Sequence, residues 1–301
     1  MWLGCWCKTS WRGRQNSQAL KIEKIMIVQE QEIVIRPPRG FGKFNFAEYY
    51  RYRHMLLSLV KRDINSQFEE MQLGIVWAVI RPLSVAVIFT LFKKFSGANT
   101  YVHAPYLIFI YSGLIFWYFF TDATMQTAGS VRKDAAIISK IYFPRLIIPM
   151  VPIFSNLIGL CIAAVPLLMM MAWHQVLPSW TILMLPLIIL QCMALVFGIG
   201  TLFAALTINN RDLEQFLSFV MYIGMFVSCV FFVPEMVPEW ARPFIFFNPV
   251  AGMMMALRAC LFDDFAFPVL LWGYSVAISL MTVFIGVMAF RRAEATFVDK
   301  L

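Results

Sequence analysis

Charged residues are scarce in this chain of 301 residues, where Asp, Glu, Lys and Arg together make up 14%. Soluble globular domains contain about 25% charged residues. Hydrophobic residues reach 60%, and the mean hydropathy is +0.72. This composition excludes a water-soluble enzyme, a disordered protein and a collagen-like protein, and it indicates that lipid surrounds most of the chain.

Cysteine and histidine are also few, and they are scattered. Four of the six cysteines fall singly inside apolar stretches, so neither a disulfide framework nor a metal site of the zinc type is indicated. The three histidines lie far apart in connecting or interfacial segments. A membrane enzyme or a proton-driven transporter would be expected to gather His, acidic or nucleophilic groups at membrane depth, and the apolar runs contain no such cluster.

A nucleotide-binding loop is missing as well. The phosphate-binding motif is G-x-x-x-x-G-K-[ST]. Residues 40–43 supply its Gly-Lys pair, but Pro37 occupies the position of the first glycine and Phe44 that of the hydroxyl residue. If ATP drives this protein, the ATPase is therefore on another chain, and no cofactor is expected on this one.

Six apolar runs of about 18 residues or more are long enough to cross a hydrocarbon core of about 30 Å as helices. Pro82 interrupts the first run, and prolines within the third and fourth indicate tilted or kinked helices. The sequence therefore predicts an all-α integral membrane protein with six transmembrane helices. The predicted spans are residues 75–92, 105–121, 146–173, 180–208, 216–233 and 269–290.

The net charge of +8 has a one-sided distribution. With six spans both termini share one side, and 21 of the 25 Lys and Arg residues lie there. The other four are Lys93, Lys94, Arg242 and Arg258. The positive-inside rule thus predicts that both termini are cytoplasmic, and a nucleic-acid partner is not expected.

Three segments flank the spans. Residues 1–48 are predicted to form a cytoplasmic arm, with both Met1 and Met26 left open as the natural start, and residues 293–301 a cytoplasmic tail. Residues 49–72 mix aromatic, aliphatic and charged side chains without enough apolar length to span. This pattern predicts an amphipathic helix that lies on the membrane surface.

The segment between the fifth and sixth spans, residues 234–268, is apolar but interrupted by several prolines and a glycine. No single straight helix can cross the membrane here. Non-spanning backbone at membrane depth must be buried in protein or line a cavity. The segment therefore predicts two short re-entrant helices in the outer leaflet, with a collapsed outer loop as the alternative.

Four short motifs resemble those of one family, in the expected order. Ile-Ser-Lys-Ile-Tyr-Phe-Pro-Arg-Leu-Ile-Ile-Pro at 138–149 resembles the connection between the second and third spans of type-2 ABC transporter permeases that export polysaccharides such as O-antigen, capsule and teichoic acid. The segment 73–78, with Pro82, resembles the start of the family's first span. Asn-Arg-Asp at 210–212 resembles the connection before the fifth span. The segment 248–252, followed by Arg258, resembles the outer gate.

The resemblance implies a homodimer of six-span subunits that pairs with two cytoplasmic ATPase subunits, which bind ATP and Mg. In this family the N-terminal helix and the connection after the second span contact the ATPase. The residues transferred to that contact are Arg62, Asp63, Lys140, Tyr142, Phe143, Pro144 and Arg145. Those transferred to the outer gate helices are Pro234, Pro238, Asn248, Pro249 and Arg258.

One stretch departs from the family pattern. Family members carry a basic, tyrosine-containing stretch after the Arg-Asp pair, whereas this chain has Asn-Ser-Gln-Phe-Glu-Glu at 65–70. The partner ATPase is therefore expected to present a surface that accepts acidic groups. An ATPase from another system is expected to substitute poorly.

Aromatic residues in the second and fifth spans, with Arg81, define a hypothetical substrate path. A polysaccharide is polar at its hydroxyls and apolar on its ring faces, so aromatic surfaces would let it slide where fixed charges would trap it. The path residues are Arg81, Tyr111, Trp117, Tyr118, Phe219, Tyr222, Phe226 and Phe231. Packing within the helix bundle or at the lipid interface is the alternative explanation for these aromatic side chains.

Three charged residues near the ends of spans require partners or water. Arg81 is expected either to reach lipid phosphates or to bind the pyrophosphate headgroup of the substrate. Asp122, at the predicted end of the second span, is expected to face interfacial water. Arg258 is expected to fix a gate helix by pairing with a carboxylate, and the candidates are Glu235, Glu239, Asp263 and Asp264.

The sequence thus predicts the permease subunit of an ATP-driven exporter of undecaprenyl-linked polysaccharide, with O-antigen as the favoured cargo, in a bacterial inner membrane. Within the same fold, the alternative is an exporter of a drug or small lipid. The alternative from another class is an integral-membrane enzyme that acts on a lipid-linked sugar through Glu235, Glu239, Asp263 and Asp264. Association with an ATPase would separate an exporter from such an enzyme.

Overall fold

The computed structural model describes residues 50–69, 74–96, 105–138, 143–208, 210–240 and 242–294. The predicted arm at 1–48 and most of the predicted tail lie outside these residues. The described residues form helices joined by turns. The α-helices are α1 (Arg53–Glu69), α2 (Gly74–Ser96), α3 (Tyr106–Lys133), α4 (Ala135–Ile138), α5 (Ile147–Trp173), α6 (Leu185–Thr207), α7 (Asp212–Val227), α8 (Arg242–Phe246), α9 (Pro249–Leu261) and α10 (Val269–Glu294).

Five helical segments are long and apolar enough to cross a bilayer. They are Val76–Phe95, Tyr106–Lys133, Ile147–Trp173, Trp180–Thr207 and Val269–Glu294, the fourth of which begins with a 3-10 turn at Trp180–Met184. Helices suit this environment because each satisfies its backbone hydrogen bonds within itself. The prediction of an all-α membrane protein is thereby confirmed.

The predicted fifth span, 216–233, differs from the helix that occupies this region. Helix α7 has 16 residues and ends at Val227, so it is about 24 Å long at 1.5 Å per residue. The backbone then leaves the helix, and Cys229 adopts a positive φ of 57°. A crossing by residues 212–233 therefore requires non-helical backbone at one end, and the six-span topology stays a prediction.

Helix α3 lies at the centre of the bundle. It packs against α2, α5 and α6, and most of its side chains are buried. It has 28 residues and continues past the predicted second span, 105–121. The prediction stopped at residue 121 because the last turns of the helix are polar. These polar side chains have partners on other helices, so the helix continues where the hydropathy pattern stops.

Helices α6 and α10 approach each other closely at glycines. A Cβ atom on Gly198 would lie 2.6 Å from the backbone nitrogen of Val283. A Cβ atom on Gly286 would overlap the carbonyl oxygen of Gly198. Small residues at such a contact allow the backbones of membrane helices to pack directly.

Helix α1 lies within the segment predicted to form a surface helix, 49–72, and packs on the start of α5. Its apolar side chains bury a small separate cluster beside the main core. The buried members of that cluster are Leu59, Val60, Phe143, Ile147, Ile148 and Val151. The segment that follows α4 is therefore joined to α1 by apolar burial.

The predicted gate segment, 234–268, contains a 3-10 turn at Pro234–Met236, α8 and α9. Asn248 caps α9 by accepting a hydrogen bond from the backbone nitrogen of Val250 at 3.0 Å, and Pro249 occupies the first turn, where a missing N–H costs nothing. Almost all side chains of α9 are buried. Two short helices thus occupy the predicted segment, and their depth in the membrane stays a prediction.

Candidate functional site

Charged side chains from three helices meet at the C-terminal end of α3, and we call this group the charged layer. Its members are Arg62, Asp63, Arg132, Lys133, Asp134 and Glu214. Arg62 lies 2.5 Å from Asp134, Lys133 lies 2.5 Å from Asp63, and Arg132 pairs with Glu214. The three pairs connect the end of α3 to α1 on one side and to α7 on the other.

Two residues transferred to the ATPase contact, Arg62 and Asp63, have different surroundings. The side chain of Asp63 is 4% exposed, and its carboxylate accepts hydrogen bonds from Lys133 and from Gln67. The side chain of Arg62 is 43% exposed. Asp63 therefore holds α1 in place, whereas Arg62 retains surface that a partner can reach.

The connection between α4 and α5 contains the other predicted contact residues. Lys140 and Tyr142 lie outside the described residues. Phe143 is buried in the apolar cluster with α1, and Pro144 is partly buried. The Nη1 atom of Arg145 donates a hydrogen bond to the carbonyl oxygen of Glu294 at 2.6 Å, so this connection is tied to the end of α10 as well as to α1.

A cavity of about 300 Å³ lies between α1, α2, α3 and α5, and we call it the polar cavity. The predicted path residues Arg81 and Tyr118 line it. Both oxygens of Asp122 accept hydrogen bonds from Nη1 of Arg81, at 3.1 and 2.9 Å. The guanidinium carbon of Arg81 also lies 4.0 Å from the centre of the Tyr118 ring.

This ion pair bears on two of the sequence expectations, which stay predictions. Asp122 lies inside α3 and faces Arg81, and its side chain remains 36% exposed. The guanidinium of Arg81 faces a carboxylate, which opposes the binding of a pyrophosphate at that position. Ionisable groups within membrane helices commonly pair with one another in this way, because an unpaired charge is costly there.

Three amide side chains continue the wall of the polar cavity. The Oε1 atom of Gln126 accepts hydrogen bonds from Nε2 of Gln67 at 3.1 Å and from Nδ2 of Asn156 at 2.9 Å. Gln67 Nε2 also donates to Asp63 at 2.9 Å. A continuous series of hydrogen bonds therefore runs from the charged layer, through α1 and α3, to α5.

The predicted aromatic path is divided between the interior and the surface of the subunit. Tyr111 and Trp117 are buried, at 0% and 3% exposure, and Tyr111 donates its hydroxyl hydrogen bond to the carbonyl oxygen of Ala163. Phe231 is also buried, and its ring stacks on Phe89 with 4.1 Å between ring centres. The interpretation of these three predicted path residues as open stacking surfaces is therefore not supported by their positions, and bundle packing accounts for them.

One face of α7 matches the predicted spacing of exposed aromatic residues. Phe219, Tyr222 and Phe226 are all well exposed on the subunit. The rings of Tyr222 and Phe226 meet edge to face with centres 6.0 Å apart. Besides Arg81 and Tyr118 in the polar cavity, this face is the part of the hypothetical path that is open to a ligand, to lipid or to another subunit.

At the opposite end of the bundle, Arg258 of α9 holds the segment that follows α7. Its side chain is almost fully buried. Its Nη2 atom donates to the carbonyl oxygen of Val230 at 2.7 Å, and Nη1 donates to that of Phe232 at 2.9 Å. These carbonyls lack helical partners because α7 has ended, so the hydrogen bonds from Arg258 stabilise non-helical backbone inside the protein.

Arg258 thus fixes the gate segment through backbone carbonyls, and its expected pairing with a carboxylate stays a prediction. Of the predicted carboxylates, Glu239, Asp263 and Asp264 are exposed, and the side chain of Glu235 lies outside the described residues. Pro234 begins a 3-10 turn, and Pro238 follows it. The amide of Asn248 also donates to the hydroxyl of Ser228 at 2.8 Å, which adds a second connection between α9 and this segment.

The sequence profile of the ABC-2 type transporter family matches residues 54–262, which is more than two thirds of the chain. The chain belongs to this family. The match covers α1 from its second residue, the lining of the polar cavity, all six members of the charged layer and residues 234–262 of the gate segment. Helix α10 follows the match.

Relatives of this ABC-2 chain include proteins named for polysaccharide transport. It is 27% identical over 206 residues to an O-antigen export system permease protein (RfbA) of Klebsiella pneumoniae, across 68% of this chain and 78% of that protein. An RfbA of Myxococcus xanthus is 23% identical over 220 residues, across 72% and 83%. The polysialic acid transport protein KpsM of Escherichia coli is 22% identical over 249 residues, across 79% and 92%.

The sequence analysis did not identify several residues of this ABC-2 chain that belong to the charged layer, line the polar cavity or hold the connection before α5. They are Gln67, Gln126, Arg132, Lys133, Asp134, Asn156, Glu214 and Glu294. The one sequence signal that could have pointed to these residues was the presence of a polar side chain in or beside an apolar helix. Without knowledge of which helices are neighbours, that signal does not identify a partner.

Proposed function

We propose that this ABC-2 family member is the membrane subunit of an ATP-driven exporter of lipid-linked polysaccharide. The observation that supports this most directly is the similarity to RfbA and KpsM proteins over 68% to 79% of the chain. Those relatives are named for O-antigen export and for polysialic acid transport. O-antigen linked to undecaprenyl pyrophosphate is the favoured cargo, and the bacterial inner membrane is the proposed location.

Two copies of the chain and two ATPase subunits form the proposed complex, with ATP and Mg bound by the ATPase. Both termini and the charged layer are proposed to face the cytoplasm, in agreement with the distribution of Lys and Arg. The ATPase would contact α1 and the connection before α5. Both elements are attached to the spanning helices by buried apolar contacts and by ion pairs, so a displacement of either would move the bundle.

The proposed contact assigns separate roles to neighbouring residues. Arg62 is partly exposed and pairs with Asp134, so it can meet the ATPase while it orients α1. Asp63, Phe143 and Arg145 face other parts of the chain, and we assign them the role of holding the contact elements in position. The acidic stretch at 65–70 remains the feature that would select a particular ATPase.

Purification of the complex from its native cells in mild detergent tests this proposal. The wild-type chain is expected to co-purify with an ATPase in a fixed ratio, and Arg62→Glu is expected to lose it. Lys94→Glu, at the far end of α2, is the matched control and should retain the ATPase. A folded wild-type chain that purifies without any ATPase would contradict the proposal.

A charge exchange separates the two roles of Arg62. Arg62→Glu with Asp134→Arg restores an ion pair within the chain but reverses the exposed charge. If Arg62 contacts the ATPase directly, the double variant regains the wild-type melting temperature and still lacks the ATPase. Recovery of the ATPase by the double variant would instead assign Arg62 only to the orientation of α1.

Transport itself is tested in cells that lack the gene. Polymer is expected to disappear from the cell surface and to accumulate inside in its lipid-linked form. Expression of the wild-type chain should restore surface polymer. If the chain were instead an enzyme that builds or attaches the polymer, its loss would leave unfinished glycan. That outcome would make the exposed Asp263 and Asp264 candidate catalytic residues.

A further inference from the structure

The polar cavity presents a particular combination of chemical groups. Arg81 and Asp122 form one ion pair, so the formal charge of this pair is zero. Three aromatic side chains, Trp77, Tyr118 and Phe119, also line the cavity. The amides of Gln67, Gln126 and Asn156 and the hydroxyl of Ser155 complete the polar lining, and the rest of the wall is aliphatic, with Ala78, Pro82, Ile115, Leu160 and Ala163. The cavity therefore combines a polar patch of balanced charge with an aromatic and aliphatic wall.

Some hydrogen-bonding atoms in this lining have no partner among the described residues. Gln126 uses Oε1 for both of its bonds, which leaves the donor Nε2. Asn156 uses Nδ2, which leaves the acceptor Oδ1, and Gln67 uses Nε2, which leaves the acceptor Oε1. The cavity thus offers both donors and acceptors to an occupant.

These groups discriminate between classes of ligand. A phosphate would face the carboxylate of Asp122, whose charge opposes it. A metal cation would compete with Arg81 for that same carboxylate, and an acyl chain would leave the amides without hydrogen bonds. Planar amide, carboxylate and guanidinium groups suit adjacent hydroxyls, and an aromatic ring suits the apolar face of a sugar.

We propose that the polar cavity binds one sugar ring of the polymer through Trp77, Tyr118, Asp122, Gln126 and Asn156. This inference rests on the proposed function, because it identifies a saccharide subsite within the same permease. The volume of about 300 Å³ lies at the lower end of the range of small-molecule sites, about 300 to 1,000 Å³. The site therefore holds a single ring rather than a length of polymer.

The location of the cavity agrees with an early step of transport. Gln126 precedes Lys133 by seven residues on α3, which corresponds to about 10 Å along the helix axis. The cavity thus lies close to the charged layer, on the side where the polymer is proposed to begin its passage. Its hydrogen bonds to Gln67 place α1 in direct contact with the sugar subsite.

A glycine in the wall allows the cavity to be filled without removing a polar group. Gly159 lines the cavity, and apart from its chain neighbours and the nearby backbone of its own helix, no atom lies within 4 Å of the position that its Cβ would occupy. Gly159→Leu would therefore occupy the space where we place the ring, while the ion pair and the amides remain. Gly273 on α10 has the same open surroundings but lies outside the cavity, so Gly273→Leu is the matched control.

The test measures binding of labelled oligosaccharide, cut from the cells' own polymer, to the purified permease in its complex. Gly159→Leu is expected to weaken binding at least tenfold, whereas Gly273→Leu is expected to bind like the wild type. Trp77→Ala is a second variant that removes the aromatic face without enlarging the core, because Trp77 is half-exposed, and it should weaken binding as well. The lipid-linked polymer serves as a second probe, which shows whether the lipid adds to recognition of the ring.

The outcomes separate this inference from the proposed function. Equal binding by the wild type and Gly159→Leu, or no saccharide binding by the wild type, overturns the sugar subsite. Displacement of the labelled saccharide by inorganic pyrophosphate but not by unlabelled oligosaccharide also overturns it. If Gly159→Leu changes neither saccharide binding nor export in cells, the sugar subsite is wrong, but the proposed exporter function is retained. If the wild-type chain binds sugar through this cavity but neither exports polymer nor binds an ATPase, the sugar subsite is retained and the exporter function is wrong.

Discussion

The amide nitrogen of Gln67 lies 3.1 Å from the side-chain oxygen of Gln126, so one hydrogen bond joins the N-terminal helix α1 to the central helix α3. Gln67 also bonds to the buried carboxylate of Asp63, and Gln126 also bonds to Asn156 on α5. The surface that we propose for the ATPase and the cavity that we propose for the sugar therefore share this contact.

Replacement of Gln67 by Leu tests that contact. The variant loses hydrogen bonds to Gln126 and Asp63, and a typical hydrogen bond contributes about 1 kcal/mol to stability. We expect a normal amount of protein in the membrane and a clear reduction in surface polymer. Gln175→Leu makes the same substitution at an exposed position after α5, outside both proposed sites, and should export normally. Equal export by both variants would argue against a role for Gln67.

The Arg81–Asp122 ion pair predicts a compensating pair of substitutions. Arg81→Gln alone leaves a carboxylate without its partner, and Asp122→Asn alone leaves a guanidinium without one, which is costly in a membrane helix. We expect each single variant to melt at a lower temperature than the double variant Arg81→Gln with Asp122→Asn. Additive losses in thermal unfolding would show that the two groups do not interact.

The hydrogen bonds of Arg258 predict that Arg258→Met strongly destabilises the gate segment. The carbonyl oxygens of Val230 and Phe232 would lose their donors, and each buried group left without a partner costs about 1 to 3 kcal/mol. The expected result is loss of folded protein, measured as the fraction that elutes as a single species in size-exclusion chromatography. Arg242→Met provides the control, because Arg242 makes one such bond from a less buried position, and its effect should be smaller.

The close approach of α6 and α10 predicts that Gly286→Val prevents these helices from packing. Any Cβ at this position would overlap the carbonyl oxygen of Gly198, and backbone cannot give way as a flexible side chain can. Membrane-inserted protein is expected to fall below the level of Gly273→Val, where the surroundings are open. Equal amounts of the two variants on immunoblots would contradict the observed packing.

The hydropathy pattern predicted the long helices because each membrane helix requires a continuous apolar stretch within its own sequence. A helix in lipid satisfies its own backbone hydrogen bonds, so twenty or so apolar residues are sufficient to predict it without knowledge of its neighbours. The five segments long enough to span lie close to predicted runs. The end of α7 at Val227 was not predicted, because Arg258 satisfies the carbonyls that follow it from 26 and 28 residues away.

The chemical roles of single residues depended more strongly on the tertiary structure. Tyr111 and Trp117 have the aromatic side chains expected along a sugar path, yet both are buried in the bundle. Asp122 follows a predicted span, yet it faces Arg81. Helical periodicity assigns a residue to a face of its helix, but it does not state whether that face meets lipid, another helix or a cavity.

By itself the sequence determined that the chain is helical and belongs in a membrane, because apolar length and the scarcity of charge are local properties. It also indicated the family, through short motifs that occur in order. Only the tertiary structure decided which polar groups meet, because Asp63 with Lys133, Arg81 with Asp122, and Gln126 with Asn156 are separated by 30 or more residues in the chain. Their proximity results from the packing of α1, α2 and α5 around α3, which no single segment specifies.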